Sequence, residues 1–315
     1  MQHGGRKILV IDLGGTNLRA AFGNPEDNEL SDVQKIKLDC INEFYKILGE
    51  LIDRYPNTKD LVVSVAGPKN GDSITMTNRN WKIVSSEVKE KFGLSSCHLL
   101  NDWEAIAYSL SSLKESDLRV LKSGPYVGLN DVPKFVIGPG TGLGAALYSR
   151  INNIEHVNPT ELGNTKSSVK HYLNIFGIEE SSDFEILEDV LSGPGISRVA
   201  ENFLNESISA EEILKRATNN DSICKDLIQK YIQCFAVLSS ESALSYNCHG
   251  GIFLVGSFMR GLEPFIKDEV FADHYIGERK QIHADFLDGI PVFLVKREST
   301  PLYGNLNYFR STIES

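Results

Sequence analysis

The sequence predicts an α/β fold built twice, on three observations. A strand, a glycine–threonine turn and a second strand occur over Lys7–Phe22 and again over Lys134–Tyr148. The first copy continues with a third alternating strand, a helix and a buried strand, which is not an uninterrupted βαβ series. The chain has 315 residues, enough for two domains that each bury a core. Together these point to two ribonuclease-H-like domains, each a mixed sheet with flanking helices, around a central cleft.

In order, Lys7–Leu13 reads as a buried strand, and Leu18–Phe22 returns as its hairpin partner after Gly14-Gly15-Thr16. Val33–Leu38 alternates and forms the third strand. Phe44, Ile47, Leu48, Leu51, Ile52 and Tyr55 fall on one face of a helix that Pro56 ends. Leu61–Val65 is a buried strand closed by Ala66-Gly67-Pro68, Ser96–Leu100 another, and Trp103–Leu113 a helix. Lys134–Ile137 and Ala145–Tyr148 flank the second glycine turn. Helices follow at Ser182–Leu191 and Ile196–Leu204, separated by Ser192-Gly193-Pro194-Gly195, and at Cys224–Tyr246. Strands at Ile252–Val255 and Pro291–Val295 and a closing helix at Leu306–Ile313 complete the chain.

Hydrophobic residues are 41% and charged residues 23%, a globular balance. The net charge of −10 and the lack of a dense Lys/Arg run argue against a nucleic-acid partner. No apolar run approaches the roughly 20 residues of a membrane span, and no signal-peptide stretch opens the chain. The five cysteines are odd in number and include no C-x-x-C. Reduced thiols in a cytoplasmic protein are expected, with no disulfide framework and no zinc.

Asp12-Leu13-Gly14-Gly15-Thr16-Asn17 brings a carboxylate to a strand end, followed by a turn with bare backbone. Its N–H groups can approach an anion, Thr16 adds a hydroxyl, and Asp12 could hold a hydrated Mg²⁺ beside phosphates. An ordinary hairpin with glycines at positive φ explains the same residues. Gly138–Gly144 holds four glycines in seven residues and repeats the threonine at Thr141. Gly140-x-Gly142-x-x-Ala145, with Glu161 downstream, also meets the loose dinucleotide fingerprint, which requires a following helix. Asn101-Asp102 stands at a strand end and a helix start. Either residue would serve as an N-cap, which spacing alone favours, and the same place suits a catalytic base. Glu161 lies in a polar loop, and Glu188 on an acidic helix over Asp183–Asp189 whose ordinary reading is a solvated face. Sugar hydroxyls would give both carboxylates a role.

Five motifs in order then carry a resemblance: Asp-x-Gly-Gly-Thr-Asn at 12–17, Met-Thr-Asn-x-x-Trp at 76–81, Asn-Asp at 101–102, Gly-x-Gly-Thr-Gly-Leu-Gly at 138–144 and Leu-Ser-Gly-Pro-Gly at 191–195. The chain resembles the bacterial-type glucokinases of the sugar kinase/Hsp70/actin superfamily from about residue 7 to its last helix. The resemblance implies transfer of the γ-phosphoryl of Mg-ATP to the 6-hydroxyl of glucose or a related hexose. It implies Asp102 as general base, with Asn101, Asp102, Glu161, Asn164 and Glu188 on the sugar. It implies Asp12, Gly14, Gly15, Thr16, Asn17, Gly140, Thr141, Gly142 and Gly256 on the nucleotide, with Mg²⁺ near Asp12 through water. It implies a small domain of residues 1–103 plus 303–315, a large domain of 104–302, and a homodimer. Asn164 stands where the family usually has a sugar-contacting His, and Gly256-Ser257 stands where it tends to have Gly-Gly. The repressor branch's zinc cysteines and helix-turn-helix extension have no counterpart. Two other functions fit parts of the pattern: a non-catalytic sugar or ATP sensor on the same fold, and an NAD-dependent oxidoreductase.

Overall fold

The computed structural model describes residues 7–125, 132–166, 168–179 and 182–314. The opening segment 1–6, read above for a leader, lies outside them. The chain forms two compact units, one running to Leu113 and resuming at Ser299, the other spanning Lys114–Glu298.

The first unit opens with β1 (Ile8–Leu13), β2 (Asn17–Asn24) and β3 (Glu29–Lys37), followed by α1 (Ile41–Arg54) and β4 (Asp60–Val65). A small sheet of β5 (Lys69–Asn70), β6 (Ser73–Thr75) and β7 (Lys82–Val84) precedes α2 (Ser85–Phe92), β8 (Ser96–Asn101) and α3 (Asp102–Tyr108). The main sheet has the order β3-β2-β1-β4-β8. The first three strands are antiparallel neighbours, while β1, β4 and β8 run parallel. Every residue of β1 and β4 is buried, because helices cover both faces of the parallel part. On one face, Phe44, Leu48, Leu51 and Ile52 of α1 join Leu9, Ile11, Leu61 and Val63. Each such side chain contributes about 1.5–3 kcal/mol by leaving water. The terminal helix Thr300–Glu314 packs on α3, β1 and β4.

The second unit repeats this plan. Its strands are β9 (Leu118–Lys122), β10 (Lys134–Pro139), β11 (Leu143–Ile151), β12 (Ile154–Thr160), β13 (Ile252–Leu254) and β14 (Val292–Val295). The sheet order is β12-β11-β10-β13-β14-β9. Again three antiparallel strands are followed by two parallel ones, with β9 added antiparallel at the edge. Its helices are α4 (Val169–Phe176), α5 (Glu188–Leu191), α6 (Gly193–Leu204), α7 (Ala210–Thr218), α8 (Ser222–Tyr246), α9 (Ser257–Leu262), α10 (Asp268–Ile276) and α11 (Gln281–Asp288). The 25-residue α8 buries Leu227, Tyr231, Cys234, Phe235 and Leu238 in the core. Among the described residues no helix is long and apolar enough to cross a membrane.

Four expectations change. The helix over Ser182–Leu191 shrinks to the single turn α5, because the Asp189 carboxylate takes the Glu185 and Ile186 N–H groups and Leu187 N–H donates to Thr165 O. Gly193-Pro194-Gly195 is not a break but the first turn of α6, with Ser192 as N-cap and the proline at an entry position where its missing N–H costs nothing. The closing helix starts at Thr300, six residues before the expected Leu306. The units divide after Leu113 and before Ser299, against the expected 103 and 303, since α3 and the 3₁₀ turn Ser109–Ser112 pack on the terminal helix.

Candidate active site

The β1–β2 turn is closed by Gly14 N–H donating to Asn17 O at 2.9 Å, and Thr16 O accepts from Leu38 N–H at 3.1 Å. Thr16 is exposed, and its hydroxyl accepts from Asn17 Nδ2 at 2.8 Å. Neither Gly14 nor Gly15 has a positive φ, which overturns the hairpin explanation of these glycines. A Cβ built on Gly15 meets nothing within 4 Å. The same is true of φ at Gly140 and Gly142, and a Cβ on Gly140 finds only Gly142 O at 3.9 Å.

Asp12 is 7% exposed. Arg19 donates to its Oδ2 at 3.1 Å and Ser64 to its Oδ1 at 3.3 Å. Burial pushes its carboxyl above the ordinary value, against the opposing pull of Arg19 and then of the Ser64 hydroxyl. Two strands across the sheet, Leu13 pairs with Val65 and Val65 with Asn101. The Asp12 turn and the Asn101-Asp102 pair therefore stand at one level, at the carboxyl ends of parallel strands where open α/β sheets bind ligands.

The capping question has an answer. Asn101 is the N-cap of α3: its Oδ1 accepts from Trp103 N–H at 2.9 Å and Glu104 N–H at 3.3 Å, and Glu104 accepts from Asn101 N–H at 3.1 Å. Asn101 Nδ2 also donates to Gly67 O at 2.9 Å. Gly67 must be glycine, because a Cβ there would lie 2.1 Å from Thr75 O. Asp102 is the first residue of α3 and half-buried.

In the second unit the glycine turn is held by three contacts. Gly140 N–H donates to Gly142 O at 2.8 Å, and Gly193 N–H donates to Gly140 O at 2.9 Å. Leu143 N–H donates to Glu188 Oε2 at 3.2 Å. Glu188 is thus not on a solvated helix face: it is half-buried against the turn, and a Cβ on Gly142 would sit 2.5 Å from its Oε2. Glu161 and Asn164 are exposed on a 3₁₀ turn, Asn164 Nδ2 donating to Glu161 Oε2 at 3.0 Å. Gly163 presses that turn on Leu143, where a Cβ would be 2.2 Å from the carbonyl oxygen. Gly256, at φ 123°, lies against Pro139 O. Thr141 is exposed on the turn. The unit therefore gathers Gly140–Gly142, Glu161, Asn164, Glu188 and Gly256 around one strand junction.

Sequence reasoning missed Arg19 and Ser64, and it quoted Gly163 and Gly193 within motifs without giving either a role. Ser64 left a signal, a lone hydroxyl inside the apolar strand β4. The dinucleotide reading fails, since β11 follows the glycines where that site needs a helix. Among the described residues no group of three His, Cys, Asp or Glu could hold a metal ion.

Comparisons with known proteins identify the family of the chain. The glucokinase family model matches residues 9–312. A glucokinase of Saccharophagus degradans is 27% identical, over 94% of this chain and 96% of that one. A glucokinase structure from an Antarctic psychrotroph superposes with a TM-score of 0.78 at 24% identity, covering 96% of this chain and 98% of that one. The glucokinase of Balamuthia mandrillaris, solved in complex with glucose, gives a TM-score of 0.78 at 20% identity, over 99% and 95%. With the duplicated strand order and a family match across nearly its whole length, the chain belongs to the glucokinase family and is a phosphotransferase of the glucokinase type.

Proposed function

We propose that this protein transfers the γ-phosphoryl group of Mg-ATP to the 6-hydroxyl of glucose or a related hexose in the cytoplasm. The observation that carries the reading is the pair of glycine turns. Gly15 and Gly140 have ordinary backbone angles and open space where a Cβ would go. Neither strain nor packing requires glycine there, and a ligand brought close to bare backbone does. Exposed Thr16 and Thr141 add one hydroxyl to each turn. Such N–H and O–H donors neutralise the charge that phosphoryl transfer moves.

Asp102, the first residue of α3 beside the Asn101 cap, is the base that accepts the 6-hydroxyl proton. Asn101 spends its Oδ1 and one N–H on the fold, so it offers the sugar its second amide hydrogen. Glu161 and Glu188 accept from sugar hydroxyls, and Asn164 orients Glu161. Asn164 both donates and accepts at its position, which suits a hexose hydroxyl of either geometry.

Each Asp12 oxygen carries one hydrogen bond and keeps a further lone pair. That fits contact through water with a Mg²⁺ that the nucleotide phosphates bring, where the ion offsets phosphate charge. Gly256 and Asn17 complete the nucleotide side.

The test is Gly15→Val and Gly140→Val. Both variants keep wild-type melting, while KM for Mg-ATP rises on the order of tenfold to a hundredfold, the cost of one or two lost charge-assisted hydrogen bonds. Unchanged Mg-ATP constants in both variants remove the turns from the site.

A further inference from the structure

The terminal helix crosses α3 so closely that a Cβ on Gly304 would lie 1.6 Å from Ala105 O. That contact puts the next residue, Asn305, against the middle of the sheet with no solvent exposure. Its Nδ2 donates to Ile11 O at 2.8 Å and to Ser64 Oγ at 3.2 Å. Ser64 Oγ in turn lies 3.3 Å from both Ile11 O and Asp12 Oδ1. A hydroxyl has one hydrogen. With the amide already serving Ile11 O and Ser64 Oγ, that hydrogen is aimed at Asp12.

We propose that Asn305 is a positioning residue for the Asp12 carboxylate, acting through the Ser64 hydroxyl. The inference rests on the nucleotide-facing reading of Asp12 given above. Arg19, on the other oxygen, has a side chain 44% exposed, so the buried hold on Asp12 comes through Ser64. Stability alone does not explain the residue. Asn305 Oδ1 is buried with no partner among the described residues. Asparagine is also a weak helix former. Leucine has the same branching without the unpaired oxygen. Losing Asn305 lets the Ser64 hydroxyl turn to Ile11 O, and Asp12 is released on that side.

The experiment compares Asn305→Leu, Ser64→Ala and the double variant with wild type. The readouts are the dissociation constants of Mg-ATP and of glucose by calorimetry, kcat and both KM values, and Tm. Each single variant loses about tenfold to a hundredfold in kcat/KM for Mg-ATP, as loss of an orienting partner does at ligand-holding groups. Mg-ATP affinity weakens with it, glucose affinity stays at the wild-type value, and the double variant falls no further than the worse single one. Ser64→Ala keeps the proposal testable if Asn305→Leu fails to fold. Wild-type Mg-ATP constants in Ser64→Ala overturn the relay. So do losses that add in the double variant, or losses that track Tm and strike both ligands alike. A wild-type protein that binds Mg-ATP without transferring phosphoryl refutes the proposed function while the relay is still read from affinity; one that binds no Mg-ATP refutes both.

Discussion

Replacing Gly163 by alanine puts one methyl group where the fold has no room for it. The Cβ would stand 2.2 Å from Leu143 O, and ordinary contact begins at 3.4 Å. The obstacle is backbone, so the 3₁₀ turn and the strand junction must part by about an ångström. One side of that contact carries Glu161 and Asn164, and the other carries Leu143 N–H and the glycine turn bound to Glu188. A misplacement of about 1 Å costs on the order of 10²-fold in rate. Overpacking itself costs about 1–3 kcal/mol of stability. Thermal melting and a coupled ADP-release assay with varied hexose and varied Mg-ATP read both effects. Gly163→Ala is expected to fold at 25 °C with a lowered Tm, and to lose about 10²-fold in kcat/KM. Gly15→Ala, whose Cβ meets nothing, is the control and keeps the wild-type Tm. Wild-type Tm and kcat/KM in Gly163→Ala refute the coupling of the two loops.

Two further predictions separate roles at single residues. Asp102→Ala loses about 10²–10⁴-fold in kcat, and the charge it removes from a helix N-terminus is worth about 0.3–1 kcal/mol of stability. Asn101→Ala shows the larger stability loss, about 0.5–2 kcal/mol for the cap; equal melting losses, or normal turnover in Asp102→Ala, contradict the division of labour. Lys134 is 1% exposed, and burial drives its ammonium down from 10.5 to about 8, with the Glu155 carboxylate opposing. The unfolded chain holds that proton up to about 10.5, so between pH 8 and 10.5 it binds more protons than the folded state and this group's contribution to stability rises with pH. Urea titrations at pH 7.5 and 9.5 should show Lys134→Met lacking that increment relative to wild type; identical pH dependence in the two proteins contradicts it.

Much of the fold was legible because its signals are local. Apolar runs ending in glycine gave β1, β4, β10 and β13, and the 3.6-residue spacing of Phe44, Leu48 and Leu51 gave α1. The edge strand β12 was not legible: it is polar, half exposed and contains Pro159, and pairing with β11 alone makes it a strand. The turn at Asp183–Leu187 likewise depends on Thr165 O and the Asp189 carboxylate, which local propensity does not contain. For the site, the glycine motifs and Asn101-Asp102 stood out as short patterns. What sequence cannot display is contact between distant residues. Ser64 and Asn305 meet across 241 positions, and Glu188 reaches Leu143 across 45.

The central claim is that a hexose hydroxyl accepts the γ-phosphoryl group. A coupled ADP-release assay with Mg-ATP over glucose, mannose, fructose and N-acetylglucosamine tests it most directly. The account predicts sugar-dependent ADP release with glucose or a close relative, a 6-phosphate product, and loss of both in Asp102→Ala. Hexose binding with no ADP release above the sugar-free rate would contradict it.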